Sequence, residues 1–131
     1  SYVSRRNSCT FCEATHSAFA AVQLEDDWEL VERVKDDPAS APVSEKLRAL
    51  LVIAGRVQEG GRSVTPDVVD AARAVGASDL EIHDTVLIAA AFCMFNRYVD
   101  GLATWAPEGD EAYAAMAERI VTQGYVGPAR A

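Results

Sequence analysis

The chain has 131 residues, of which half are hydrophobic and about a quarter are charged. This composition is typical of a folded globular domain and excludes an intrinsically disordered chain. The formal net charge of −8 argues against nucleic-acid binding, which needs a basic surface. The longest apolar run, 86–95, is too short to cross a bilayer, so we expect neither a nucleic acid nor a membrane as a partner.

The cysteines are few, and one of the three lies far from the other two. Such a distribution does not form the disulfide framework of a small secreted domain. A Cys-x-x-Cys motif in this setting indicates a redox-active or metal-binding pair in a reducing compartment. We therefore expect a cytoplasmic protein.

Residues that typically begin or end helices occur along the whole chain. There is no sustained period-two alternation and no Asn-Gly or Asp-Gly hairpin signal, so the sequence predicts an all-α bundle. Glycine, proline and capping residues predict about six helices in a single domain, 1–131. Their approximate ranges are 8–24, 27–34, 45–59, 66–76, 78–105 and 110–122, and 126–131 is interpreted as a tail.

The longest predicted helix, 78–105, is apolar on all sides between 86 and 95, so we expect it to be the buried central element. Near its end, Cys93, Asn96 and Asp100 share one stripe, and Arg97 lies beside them. A polar stripe on a buried helix needs partners, so these four residues are predicted to lie at a pocket or a subunit interface. Cys93 alone is interpreted as a buried, inert thiol.

The densest group of reactive side chains is Cys9, Cys12 and His16, which fall within about 60° of one another on a helix surface. With Asn7 or Ser8 as the N-cap, both cysteines lie near the helix start, where unpaired N–H groups and the helix dipole stabilise a thiolate. His16 is one turn further on and is placed to accept or deliver a proton. A thiolate here could attack a peroxide or a disulfide, and the second cysteine could then close an intramolecular disulfide.

Two other interpretations of the cluster are open. The two cysteines and His16 could be three zinc ligands, with His83, Cys93 or a carboxylate as the fourth. Three tetrahedral ligands from one helix make an awkward site, and we expect no metal. The cysteines could also be packed without function. His83 is most simply a surface or interhelix residue without a role.

Residues 9–17, CTFCEATHS, resemble the CxxCxxxH signature of alkyl hydroperoxidase D-like proteins in the carboxymuconolactone decarboxylase superfamily. A second stretch, VGASDLEI at 75–82, precedes an apolar helix that ends in FNRYVDGL at 95–102, which is similar to the peroxidase-related branch. The matches together span most of the chain. The resemblance implies an all-helical, homo-oligomeric protein with active sites near subunit contacts, and it implies no haem, flavin or metal cofactor.

The resemblance also implies residue roles. Cys12 would attack a hydroperoxide, Cys9 would form the redox-active disulfide with it, and His16 would belong to a proton relay, while an external dithiol would reduce the oxidised pair. The family usually carries a glutamate about three turns before the first cysteine, so we expect an N-terminal helical segment to be missing from this chain. In addition, Cys93 stands where the branch often has Asn.

The function expected from these features is that of a thiol-dependent peroxidase or disulfide oxidoreductase. The alternative is a non-catalytic redox sensor or assembly module whose disulfide alters packing.

Overall fold

The computed structural model describes residues 1–109 and 111–125, and all regular structure within them is helical. The all-α bundle is therefore confirmed. Its helices are α1 (Tyr2–Arg6), α2 (Thr10–Gln23), α3 (Trp28–Asp36), α4 (Glu45–Glu59), α5 (Pro66–Ala74), α6 (Asp79–Gly101) and α7 (Glu111–Gln123), with a 3-10 turn at Gly61–Ser63. The predicted tail 126–131 and Asp110, the predicted first residue of the last helix, lie outside the described residues.

None of these helices combines the length and the apolar character that crossing a bilayer requires.

Capping residues fix the starts of several helices. The Ser44 hydroxyl accepts a hydrogen bond from the Leu47 N–H at 3.1 Å and so begins α4. Ser78 and Glu81 form a reciprocal capping box at the start of α6. Pro66 occupies the first turn of α5, where its missing N–H is not needed. These local signals explain why the predicted starts of the three helices agree with the structure.

Helix α1 was not predicted from the sequence. Its five residues are too few to show a helical period, and its stability comes from packing on other elements. It contacts α2, α3, α4 and α6, and it lies so close to α4 that a Cβ on Gly55 would come within 2.9 Å of the Tyr2 hydroxyl. The apolar side chain of Val3 enters the core from this helix.

The core has two parts. The larger one is formed by α1, α4, α5 and α6 together with the α5–α6 turn, and its buried members are Val3, Ile53, Ala54, Val57, Ala72, Ala77, Ile82 and Ala89. The smaller one joins α2 to α7 through Ala18, Tyr113 and Ala117. Helix α2, which carries the reactive cluster, is thus held between α1 and α7.

Helix α6 is not the buried centre of the bundle that its apolar sequence predicts. It packs extensively on α4, but its buried residues are only Ile82, Ala89 and Asn96. Large apolar side chains along it remain exposed, among them Leu87, Ile88, Met94, Phe95, Tyr98 and Leu102. Apolarity on all sides shows that a helix can be covered, but it does not show which element of the chain would cover it.

Candidate functional site

The reactive cluster lies where α1 turns into α2. Ser8 has a left-handed backbone (φ 57°), and the Cys9 N–H donates to the Ser4 carbonyl at 3.1 Å. Cys9 is the N-cap of α2, which corrects the prediction that Asn7 or Ser8 caps this helix. Cys12 is then the third helical residue, so the two cysteines still lie at one end of α2 and on one side of it.

The Cys9 thiol is fully buried and free of any disulfide. Burial raises its pKa from 9.0 to about 12, and the Asp100 carboxylate and the Cys12 thiol act in the same direction. The Cys12 backbone N–H opposes this rise, as expected at a helix start, but its effect is smaller. The predicted stabilisation of a thiolate is therefore wrong for Cys9, because desolvation outweighs the helix terminus.

Cys12 lies on the wall of an apolar pocket. It is also a free thiol, with only 4% of its surface exposed. The pocket has a volume of about 570 Å³, and its other lining residues are Phe11, His16, Phe92, Phe95, Val99 and Tyr125. Cys9 does not line it. A reagent entering the pocket would consequently meet the Cys12 thiol before the Cys9 thiol.

His16 is held by hydrogen bonds at both ring nitrogens. Nδ1 lies 2.9 Å from the Cys12 carbonyl oxygen, and Nε2 lies 3.0 Å from the Tyr125 hydroxyl. Because a carbonyl can only accept, Nδ1 carries the proton, and Nε2 of the neutral ring accepts from the phenol. Burial lowers the pKa of His16, which favours this neutral form. The rings of Phe19 and Phe92 contact the imidazole edge-on at 5.1 and 4.6 Å.

The predicted polar stripe on α6 faces the junction of α1 and α2. Asn96 is completely buried, donates to the Ser4 hydroxyl at 3.1 Å and accepts from the Asn7 amide at 2.8 Å. The Asn7 amide also lies 3.7 Å from the half-buried Cys93 sulfur. These contacts join α6 to the segment that carries Cys9.

The other two members of the stripe differ in their surroundings. Asp100 lies beside the Cys9 thiol, whereas Arg97 is exposed and donates to the Cys93 carbonyl at 2.7 Å. None of Cys93, Asn96, Arg97 and Asp100 lines the pocket next to Cys12. Their predicted place at a subunit interface stays a prediction.

Glu13 follows Cys12 in sequence but belongs to an ionic cluster rather than to the pocket. Its carboxylate accepts from Lys35 at 3.1 Å and from Arg5 at 2.8 Å. The Lys35 side chain is only 4% exposed and also pairs with Glu32 at 2.6 Å. In residues 1–109 and 111–125 no carboxylate is hydrogen-bonded to His16.

The zinc interpretation gains no support from the geometry. Within the described part of the chain, no three His, Cys, Asp or Glu side chains are grouped so that they could hold a metal ion. His83 is exposed, and among the described residues its one ionic partner is the neighbouring Asp84, at 3.0 Å.

Several residues of the site were missed by sequence reasoning. The spacing of Phe92, Phe95 and Val99 puts them on one side of α6, and this pattern could have indicated a second wall for the pocket. Tyr125 gave no local signal, because it lies 109 positions from His16 in the chain. Only the packing of α7 on α2 brings it there.

Comparison of the chain with models of protein families, with curated proteins and with solved structures found no match. The arrangement itself consists of two adjacent free thiols, one of them on a pocket wall, together with a neutral histidine and a phenol at the same pocket. Two neighbouring thiols can be oxidised to a disulfide, and a histidine and a phenol can transfer protons during such a reaction.

Proposed function

We propose that this protein is a thiol-dependent peroxidase of the alkyl hydroperoxidase D-like kind, with Cys12 as the attacking thiol and Cys9 as its resolving partner. The observation that carries the proposal is the placement of the two thiols. Cys12 lines the apolar pocket, and Cys9 lies behind it at the N-cap of the same helix. The resemblance of residues 9–17 to the CxxCxxxH signature supports the same assignment.

The reaction proceeds in three steps. The Cys12 thiolate attacks the terminal oxygen of a hydroperoxide, the O–O bond breaks, and an alcohol leaves after taking up one proton. The resulting sulfenic acid condenses with the Cys9 thiol, which forms the disulfide and releases water. An external dithiol then returns two electrons and two protons to the pair. Because Cys9 does not line the pocket and burial raises its pKa, it is a poor nucleophile toward the peroxide itself, which leaves it the resolving role.

The pocket favours an organic hydroperoxide over hydrogen peroxide. Phe11, Phe92, Phe95 and Val99 offer it apolar side chains, which bind an alkyl or aryl group through the hydrophobic effect. The burial of both sulfurs limits the size of the reductant that can reach them. A small or flexible dithiol is therefore the expected partner.

We also propose that the chain assembles into a homo-oligomer in the cytoplasm. The exposed apolar side chains of α6 support the assembly, since such a continuous patch is uncommon on a monomer. The cysteines are too few and too unevenly spaced for a secreted disulfide framework, which supports a reducing compartment.

The test is a steady-state assay of cumene hydroperoxide reduction with dithiothreitol as the reductant. We expect Cys12→Ser to lose at least a hundredfold in turnover, because no other thiol lines the pocket. In Cys9→Ser, one equivalent of peroxide should oxidise Cys12 to a sulfenic acid that dimedone traps.

Cys93→Ser is the matched control, because it removes a thiol that does not line the pocket. It should retain turnover within about twofold. Unchanged peroxide consumption by Cys12→Ser would rule out the proposed function.

A further inference from the structure

Tyr125 follows α7 in the chain and lies beside His16 at the pocket. Its hydroxyl lies 3.0 Å from His16 Nε2, and its ring packs edge-on against Phe19 with centroids 6.2 Å apart. It also lines the pocket that contains Cys12. The phenol thus meets the histidine and the space where a substrate would bind.

Both ring nitrogens of His16 are hydrogen-bonded to groups other than the Cys12 thiol. Its Nδ1–H is bonded to the Cys12 backbone carbonyl, so that nitrogen cannot accept a proton. The remaining nitrogen, Nε2, is bonded to Tyr125 and not to the Cys12 sulfur. A proton that leaves the thiol therefore has no direct acceptor on His16 in this arrangement.

We propose that Tyr125 is the proton-relay residue of this site and connects the Cys12 thiol and the substrate's leaving oxygen to His16. This inference rests on the proposed peroxidase function. Cys12 and Tyr125 line the same pocket, and the relay requires the thiol to come into hydrogen-bond contact with the phenol there. When Cys12 ionises, the phenol oxygen then accepts the thiol proton while the phenol O–H passes its own proton to Nε2. The result is a thiolate and an imidazolium separated by a neutral tyrosine.

Protons move through Tyr125 in the opposite direction when the peroxide bond breaks. The thiolate sulfur bonds to the terminal oxygen, and the alkoxide that leaves takes the phenol proton, which Nε2–H replaces. Cys12 ends as a sulfenic acid, the alkoxide as an alcohol, and His16 as the neutral ring seen in the structure. Two electrons have passed from sulfur to the O–O bond, and no further reactant is needed.

The charge state of Cys12 acts on the phenol of Tyr125. Burial of the hydroxyl raises the pKa of Tyr125, and negative charge on Cys12 raises it further. The tyrosine therefore stays protonated at neutral pH and keeps a proton available beside the thiolate. The ring as a whole is 70% exposed, so removing its hydroxyl should not disturb the core.

The test compares two oxidants in single-turnover oxidation of the pre-reduced protein, followed by stopped flow. Cumene hydroperoxide expels an alkoxide, which needs a proton, whereas peracetic acid expels acetate, which does not. In Tyr125→Phe we expect the ratio of the cumene hydroperoxide rate constant to the peracetic acid rate constant to fall at least tenfold, since general acid catalysis is worth about a hundredfold or more. Tyr2→Phe removes the hydroxyl of a half-buried tyrosine on α1 that does not line this pocket, and it should leave the ratio unchanged.

The outcomes are distinct. Because both oxidants need the Cys12 thiolate, equal losses would overturn the role of Tyr125 as the acid for the leaving oxygen and keep only its role in ionising Cys12. No loss with either oxidant would overturn the whole relay and leave Tyr125 as part of the pocket wall. If the wild-type protein reacts with neither oxidant, the peroxidase function itself fails, and the inference about Tyr125 fails with it. Urea unfolding of Tyr125→Phe, expected to match the wild type within about 0.5 kcal/mol, confirms that the variant is folded.

Discussion

At the scale of single residues, the two cysteines differ more in their surroundings than their spacing indicates. Both belong to the start of α2, but Cys9 is sealed behind α1 and beside Asp100, while Cys12 reaches the pocket. A helix start favours a thiolate only where the sulfur keeps enough contact with water or with N–H donors. Access to the pocket therefore distinguishes two residues that their spacing alone treats alike.

The raised pKa of Cys9 can be tested by alkylation in Cys12→Ser/Cys93→Ser, where Cys9 is the sole thiol. Because the thiolate is the nucleophile, the rate with iodoacetamide should rise about tenfold per pH unit from pH 8 to pH 10 without levelling off. At pH 8 a thiol with a pKa of about 12 is roughly a thousandfold less ionised than one with a pKa of 9.0.

The control is the same variant unfolded in urea, in which the rate should level off above the ordinary cysteine pKa of 9.0. A plateau near pH 9 in the folded protein would contradict the burial argument. The slope is the decisive quantity, because restricted access lowers the rate at every pH but does not change its pH dependence.

At the scale of elements, the sequence specifies those helices whose signals are local. Ser44, Pro66 and the Ser78–Glu81 box lie next to the helices that they begin, so α4, α5 and α6 could be predicted from short stretches. Helix α1 could not be predicted, since its five residues depend on contacts with elements far along the chain. For the same reason the burial of Cys9 and the approach of Tyr125 to His16 were inaccessible to sequence reasoning.

The junction between α1 and α6 depends on Asn96. Asn96→Leu would leave the buried Ser4 hydroxyl and the half-buried Asn7 amide without this partner. We expect the free energy of unfolding to fall by about 2–3 kcal/mol, measured by urea denaturation. Arg97→Ala, on the exposed side of the same helix, should change it by no more than about 0.5 kcal/mol. A loss below about 1 kcal/mol in Asn96→Leu would mean that the network contributes little to holding the Cys9 segment.

At the scale of the whole molecule, the pocket and the exposed apolar side chains of α6 are continuous. Phe95 belongs to both, because it lines the pocket beside Cys12 and is half exposed. A partner covering α6 would therefore also cover part of the pocket entrance. Assembly and access to the cysteine pair are expected to be coupled in this protein.

Charge substitution on α6 tests this assembly. Leu87 and Met94 lie two turns apart on one side of the helix, and each is more than half exposed. In Leu87→Lys/Met94→Lys the buried charges would oppose association, so light scattering should give the monomer mass, while the monomer keeps its helical circular dichroism spectrum. Ala71→Lys/Ala114→Lys adds the same charge at exposed positions on α5 and α7 and should keep the mass of the wild-type assembly.

A wild-type protein that is monomeric at micromolar concentration, or a lysine variant that keeps the wild-type mass, would contradict a homo-oligomer built on α6. The same measurement on reduced and oxidised protein separates the two functional hypotheses. A peroxidase should turn over whether or not its mass depends on the disulfide. A change in mass on oxidation together with negligible turnover would instead favour a redox-controlled assembly module, in which closure of the Cys9–Cys12 disulfide alters the pocket wall that α6 shares with its partner.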